Sequence, residues 1–185
     1  MTLPDLLARG LDVAFVSINP SLYSVEQGHY FARRSNKFWP CISASTLTLR
    51  MRHELGVDRL EPEHDVLLPR YGIGFTDAVK RATARAGDVS PAEFVAGVDA
   101  VLRKIRRYRP RIVCFHGVTA YRHVHRVLYA GNPPIVLGLQ SLSLAGVPIF
   151  VVPNPSGANA HASRAEQTAW YDRLHAQVRH TKARR

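Results

Sequence analysis

The chain is poor in acidic residues and in cysteine, and it has no long apolar run. Only 14 Asp and Glu stand against 25 Lys and Arg in 185 residues, for a formal net charge of +11. Such an excess points to a polyanionic partner, with a basic surface kept for solubility as the competing reading. The two cysteines, Cys41 and Cys114, belong to no CxxC pair and no Cys/His cluster, so neither a disulfide framework nor a metal site is expected. Both lie in apolar stretches and read as buried, reduced thiols. No stretch reaches the roughly 20 apolar residues of a membrane span, and the first residues carry no secretory pattern. The expectation is a cytoplasmic protein, nucleoid-associated in a bacterium. Internal repeats, low-complexity linkers and shifts of composition are missing too. One domain over residues 1–185 is therefore expected, with a flexible basic tail from about residue 180.

What is present is a 46% apolar chain with two asparagine-proline segments. Ser17-Ile18-Asn19-Pro20-Ser21 follows the β-branched run from Val13 to Ile18. Pro153-Asn154-Pro155-Ser156-Gly157 follows the run from Val147 to Val152. Each places an asparagine amide and a rigid turn at the carboxyl end of a strand, the edge where open α/β sheets bind ligands. Further strands are predicted over Arg111 to Phe115 and, more weakly, Ile135 to Leu139. Helices are predicted from Asn36 as cap through Leu47, from Ser90-Pro91 onward, from Thr119 to Leu128, and from Arg164 to Val178. Strands alternating with helices predict a three-layer α/β/α domain around a short, mostly parallel sheet.

Four segments stand in order: Ser17 to Pro40 (SINPSLYSVEQGHYFARRSNKFWP), Tyr71-Gly72-Ile73-Gly74-Phe75-Thr76, Tyr108-Arg109-Pro110-Arg111, and Val152-Pro153-Asn154-Pro155-Ser156-Gly157. Together they resemble the mismatch-specific uracil-DNA glycosylases and their thymine-DNA glycosylase relatives, over roughly residues 12 to 175. The resemblance implies a uracil-DNA glycosylase-like fold and hydrolysis of the N-glycosidic bond of uracil or thymine opposite guanine. It implies no cofactor, a monomer, and double-stranded DNA with a U:G or related mismatch as partner.

Residue by residue, the resemblance makes Asn19 the water-orienting amide and Phe31 the ring against the extruded base. Main-chain N–H groups near Ile18 and Phe31 would meet the base's carbonyl oxygens, with Tyr30 and His29 at the mouth. Asn154 would hold the base or the deoxyribose phosphate, with Ser156 and Gly157 offering a hydroxyl and close backbone approach. Ala158, Asn159 and Ala160 occupy the segment that fills the vacated stack, and His161 is the histidine nearest to it. These are small residues where a bulky wedge is common. Ser17 and Ser21 replace glycines, which narrows the pocket and favours uracil over thymine.

Asp77 stands where relatives carry Asn or Lys. It reads either as a carboxylate assisting Asn19 or as the N-cap of a helix beginning near Ala78. Three functional alternatives stay open at this point: a glycosylase for another damaged base such as hypoxanthine, a mismatch-DNA binding module without catalysis, and a nucleotide-metabolism enzyme using the same sheet edge.

Overall fold

The computed structural model describes residues 2–129, 134–160 and 162–183. Five strands form its sheet: β1 (Val13–Ser17), β2 (Ile73–Asp77), β3 (Ile112–His116), β4 (Gly138–Leu144) and β5 (Val147–Val152). Their spatial order is β2-β1-β3-β5-β4, and all pairs are parallel except the β4–β5 hairpin at one edge. Six α-helices accompany them: α1 (Leu22–Gln27), α2 (Phe38–Ala44), α3 (Leu49–Leu55), α4 (Pro91–Tyr108), α5 (Val118–Leu128) and α6 (Arg164–Ala183).

The three layers follow from the period of two along each parallel strand. Val13, Phe15, Ile73, Phe75, Ile112, Cys114, Phe150 and Val152 face one side. There they pack with Phe38, Trp39 and Ile42 of α2 and Tyr171, Leu174 and Val178 of α6. Ala14, Val16, Val113, Phe115, Ile149 and Val151 face the other side, against Val98, Val101 and Ile105 of α4 and Tyr121 and Val124 of α5. With both faces covered, the three inner strands read as unbroken apolar runs.

Several boundaries differ from the expectation. β2 was not foreseen as a strand. Asp77 ends it rather than capping a helix, since the residues from Ala78 turn away without forming one. The strand expected over Ile135 to Leu139 begins instead at Gly138, in a hairpin whose outer strand alternates exposed Leu139, Ser141 and Ser143 with less exposed residues. The helix expected from Asn36 to Leu47 stops at Ala44, and Leu47 falls in a short 3₁₀ turn, Thr46–Thr48. Asn36 still accepts the N–H of Phe38 at 2.9 Å, and Pro40 sits in the first turn, where its missing N–H costs nothing. The basic tail expected from about residue 180 is helical through Ala183, and Lys182 pairs with Asp12 at 2.8 Å. Only Arg184 and Arg185 lie outside the described residues at that end. No described helix is long and apolar enough to cross a membrane.

Candidate active site

The carboxyl ends of three adjacent strands make the floor of one cavity. β1 ends in Ser17, β2 in Asp77 and β3 in His116, with Ser17 and Asp77 in direct register. The loops leaving β1 and β5 form its walls. The cavity has a volume of about 560 Å³ and is lined by Ile18, Asn19, Ser21, Tyr30, Phe31, Asn154, Ser156, Gly157 and Ala158 as well as the floor residues. Asn19 and Asn154, 135 positions apart in the chain, thus face the same space. That size and partial openness suit an extruded nucleotide base.

The first loop is held by the Asn19 side chain. Its Nδ2 donates to Thr83 Oγ1 at 2.8 Å, to the Arg81 carbonyl at 3.0 Å and to the Pro20 carbonyl at 3.2 Å. The donor end of the amide is therefore committed to scaffolding. Its Oδ1 accepts no hydrogen bond among the described residues, leaving an oriented acceptor for a water or a base N–H. Ser21 caps α1 by accepting the N–H of Ser24 at 3.1 Å, so its hydroxyl is engaged in the fold.

Asn154 shapes the second loop. Its Oδ1 accepts the Ser156 N–H at 3.0 Å, and its carbonyl accepts Asn159 Nδ2 at 2.7 Å. Gly117, at φ +92°, opens α5 immediately beneath it. A Cβ there would stand 3.1 Å from the Asn154 Cβ, so only glycine lets loop and helix meet so closely. Phe31 completes the wall at φ +55°, a backbone region that non-glycine residues occupy rarely and that clusters at functional sites. Its ring stacks on Phe38 at 4.4 Å and meets His116 edge-on at 5.2 Å, which fixes its plane.

Charge beneath the cavity is organised around Asp77, which is 1% exposed. Ser17 Oγ donates to its Oδ1 at 2.9 Å, Tyr30 OH donates to its Oδ2 at 3.1 Å, and Lys80 Nζ lies 3.4 Å from Oδ2. Burial pushes the Asp77 carboxyl above its ordinary range, against the pull of Lys80, Ser17 and Tyr30. Lys80 also pairs with Asp5 at 2.9 Å, and Lys104 reaches Asp5 at 2.8 Å, so the network runs from the surface to the cavity floor. His116 is the opposite case. Burial holds its imidazole down at about 3, so it is neutral at physiological pH. Its Nε2 lies 3.2 Å from Tyr171 OH, and its Nδ1 is buried without a partner among the described residues.

Of the residues expected at a site, Asn19, Asp77, Asn154, Ile18, Ser21, Phe31, Tyr30, Ser156, Gly157 and Ala158 all line this cavity. Asn159 instead faces an adjoining cavity of about 540 Å³ beyond the second loop, which shares Ile18, His116, Asn154, Ser156 and Ala158 with the first. His161 lies outside the described residues. Tyr30 is buried beneath the cavity rather than placed at its mouth, and His29 pairs with the buried Asp65 at 3.1 Å. The sequence reading passed over two participants. His116 and Thr83 had no motif to announce them, although His116, like Ser17 and Asp77, is a polar residue ending a buried apolar run. Among the described residues no cluster of histidine, cysteine and carboxylate side chains could hold a metal ion.

A buried carboxylate, two oriented amides and a fixed aromatic ring at one sheet edge can bind a planar base and place water beside it. The family model of the Uracil DNA glycosylase superfamily matches residues 4–177, a span that takes in every strand and every cavity residue but Leu3. Members of that superfamily are DNA glycosylases, which makes glycosylase chemistry on DNA the activity class of the family that the chain matches. With that match over most of its length, the chain belongs to the uracil DNA glycosylase superfamily.

Proposed function

We propose that this chain is a monofunctional glycosylase that removes uracil mispaired with guanine from double-stranded DNA. The observation that carries the proposal is the convergence of Asn19, Asp77, Phe31 and Asn154 on one cavity. A mispaired nucleotide leaves the stack more cheaply than a paired one, which gives part of the selectivity before the pocket is reached. The face of Phe31 stacks on the extruded base, an interaction worth about 1–3 kcal/mol that tolerates any planar base. Asn154 steadies the base or its sugar-phosphate, and the neutral His116 in the floor avoids burying a cation against an uncharged ring.

Hydrolysis breaks the bond between C1′ and N1, and N1 keeps the electron pair. Water oriented by Asn19 Oδ1 adds to C1′. An amide is too weak a base to take the water's proton, whereas the Asp77 carboxylate takes it or stabilises the cationic sugar. Asp77 thus assists Asn19 in this reading. Ser17 and Tyr30, both donating to that carboxylate, set its position. The side chains of Ser17 and Ser21 line the pocket where glycine would leave room, and so uracil is preferred to thymine with its added methyl group.

The test is a panel of duplexes and strands carrying one altered base each: U:G, T:G, U:A, hypoxanthine opposite T, and single-stranded uracil. Alkali-labile breaks greatest with U:G support the proposal. Breaks greatest with hypoxanthine replace the substrate, and binding to the mismatch without any break replaces catalysis with recognition.

A further inference from the structure

Extruding a nucleotide leaves a gap in the duplex that a protein group must fill for the open state to last. The segment beside this cavity offers Gly157, Ala158, Asn159 and Ala160, with no large apolar or cationic side chain. Bulk is missing, so any plug must work through a stiff backbone. The loop carries such stiffening: the Ser156 N–H bonds Asn154 Oδ1 at 3.0 Å, the Asn159 N–H bonds the Ser156 carbonyl at 2.9 Å, and Asn159 Nδ2 bonds the Asn154 carbonyl at 2.7 Å.

Further ties come from Lys37, the residue that precedes α2. Its N–H donates to the Pro155 carbonyl at 2.8 Å, while its Nζ donates to the Asn159 carbonyl at 2.7 Å and to the Ala162 carbonyl at 2.6 Å. Bonds from an ammonium to a carbonyl are stronger than neutral ones. Lys37 is half-buried and makes no salt bridge among the described residues, so its charge is spent on these two carbonyls. The loop also lies flat on the same segment: a Cβ on Gly157 would stand 2.5 Å from the Ser35 carbonyl oxygen.

We propose that Lys37 is a positioning residue that holds the 154–160 loop rigid enough to enter the duplex stack in place of the extruded base. Its side chain does not line the cavity and does not touch the reacting atoms. The inference rests on the reading of the chain as a base-extruding glycosylase. It separates from a general structural role because a plug is needed only where there is a stack to re-enter. Single-stranded uracil, or uracil inside a run of unpaired bases, has none.

The experiment compares single-turnover excision from a U:G duplex, from uracil within an unpaired bubble and from single-stranded uracil, for wild type and Lys37→Met. The expected loss is about 10–100-fold on the duplex, from two missing charge-assisted bonds, and less than about threefold on the bubble and the single strand. Should Lys37→Met fail to fold, Lys37→Gln, which keeps one amide donor, is expected to show the same selective loss at smaller size. Equal losses on all three substrates, or none on any, overturn the role given to Lys37. A wild-type protein that excises uracil from none of them overturns the functional reading itself, and this inference with it.

Discussion

Asp77 is the residue on which two opposing demands meet. Its carboxyl is buried with three hydrogen-bonding or charged partners, and burial outweighs them, lifting it above the ordinary aspartate value of 3.8. If it acts as a carboxylate, activity falls as pH drops through that raised value, so the acid limb of the pH–rate profile lies above the ordinary aspartate range. Replacing it with asparagine is expected to lower single-turnover excision about 10²-fold and to remove that limb. The stability effect has the opposite sign. A folded-state value above the unfolded one gives stability that is full below the unfolded value and is lost as pH rises through the folded one. Asp77→Asn is therefore expected to melt no lower than wild type at neutral pH. Wild-type activity in Asp77→Asn, with the limb intact, would remove the carboxylate from the chemistry. His116 contributes no limb between pH 5 and 8, because burial holds it near 3. Neither behaviour was legible in the sequence, where Asp77 looked equally like a helix cap. The burial of an ionisable group depends on which strands flank it, and only the assembled sheet supplies that.

At the scale of elements, β1, β3 and β5 were legible because their residues are apolar on both faces, the mark of inner parallel strands. β2 was not, since Gly74, Thr76 and Asp77 interrupt its apolar run. Each interruption has a tertiary reason. A Cβ on Gly74 would stand 2.5 Å from the Leu6 carbonyl, because the N-terminal segment bridges to this strand. Thr76 is buried yet satisfied by Asp5 and Lys104, both at 2.8 Å. The start of α4 was legible from Ser90-Pro91 and carries a full capping box with Glu93. Its Gly97 was not explained by the helix pattern. A Cβ there would stand 2.3 Å from the Ala78 carbonyl, directly behind Asp77. In an open helix Gly→Ala gains about 1 kcal/mol, whereas overpacking costs about 1–3 kcal/mol. Here the contact is with backbone, so overpacking wins: Gly97→Ala is expected to lower the melting temperature and to reduce excision by displacing Asp77. A rise in melting temperature with unchanged excision would show that α4 slides without disturbing the site.

Over the whole molecule, a sheet covered on both sides fixes its strand ends as a rigid rim, and the groups assigned to chemistry or recognition stand on that rim or on loops leaving it, except Phe31, which lies between α1 and α2. The two asparagine-proline turns were legible as site walls because proline and glycine mark where strands stop. Their convergence across 135 positions was not, since it depends on the order β2-β1-β3-β5-β4, which places β3 between β1 and β5. The basic excess of the chain agrees with DNA, the polyanion on which the superfamily acts. The most direct measurement is single-turnover release of uracil from a U:G duplex by wild type and by Asn19→Ala, read as alkali-labile breaks at the uracil position. The expected result is release by wild type and a loss of roughly 10²–10³-fold in the variant, which loses both the acceptor for water and the bonds that hold the first loop. An Asn19→Ala protein that releases uracil at the wild-type rate would contradict the account, as would a folded wild type that binds the duplex and leaves the uracil in place.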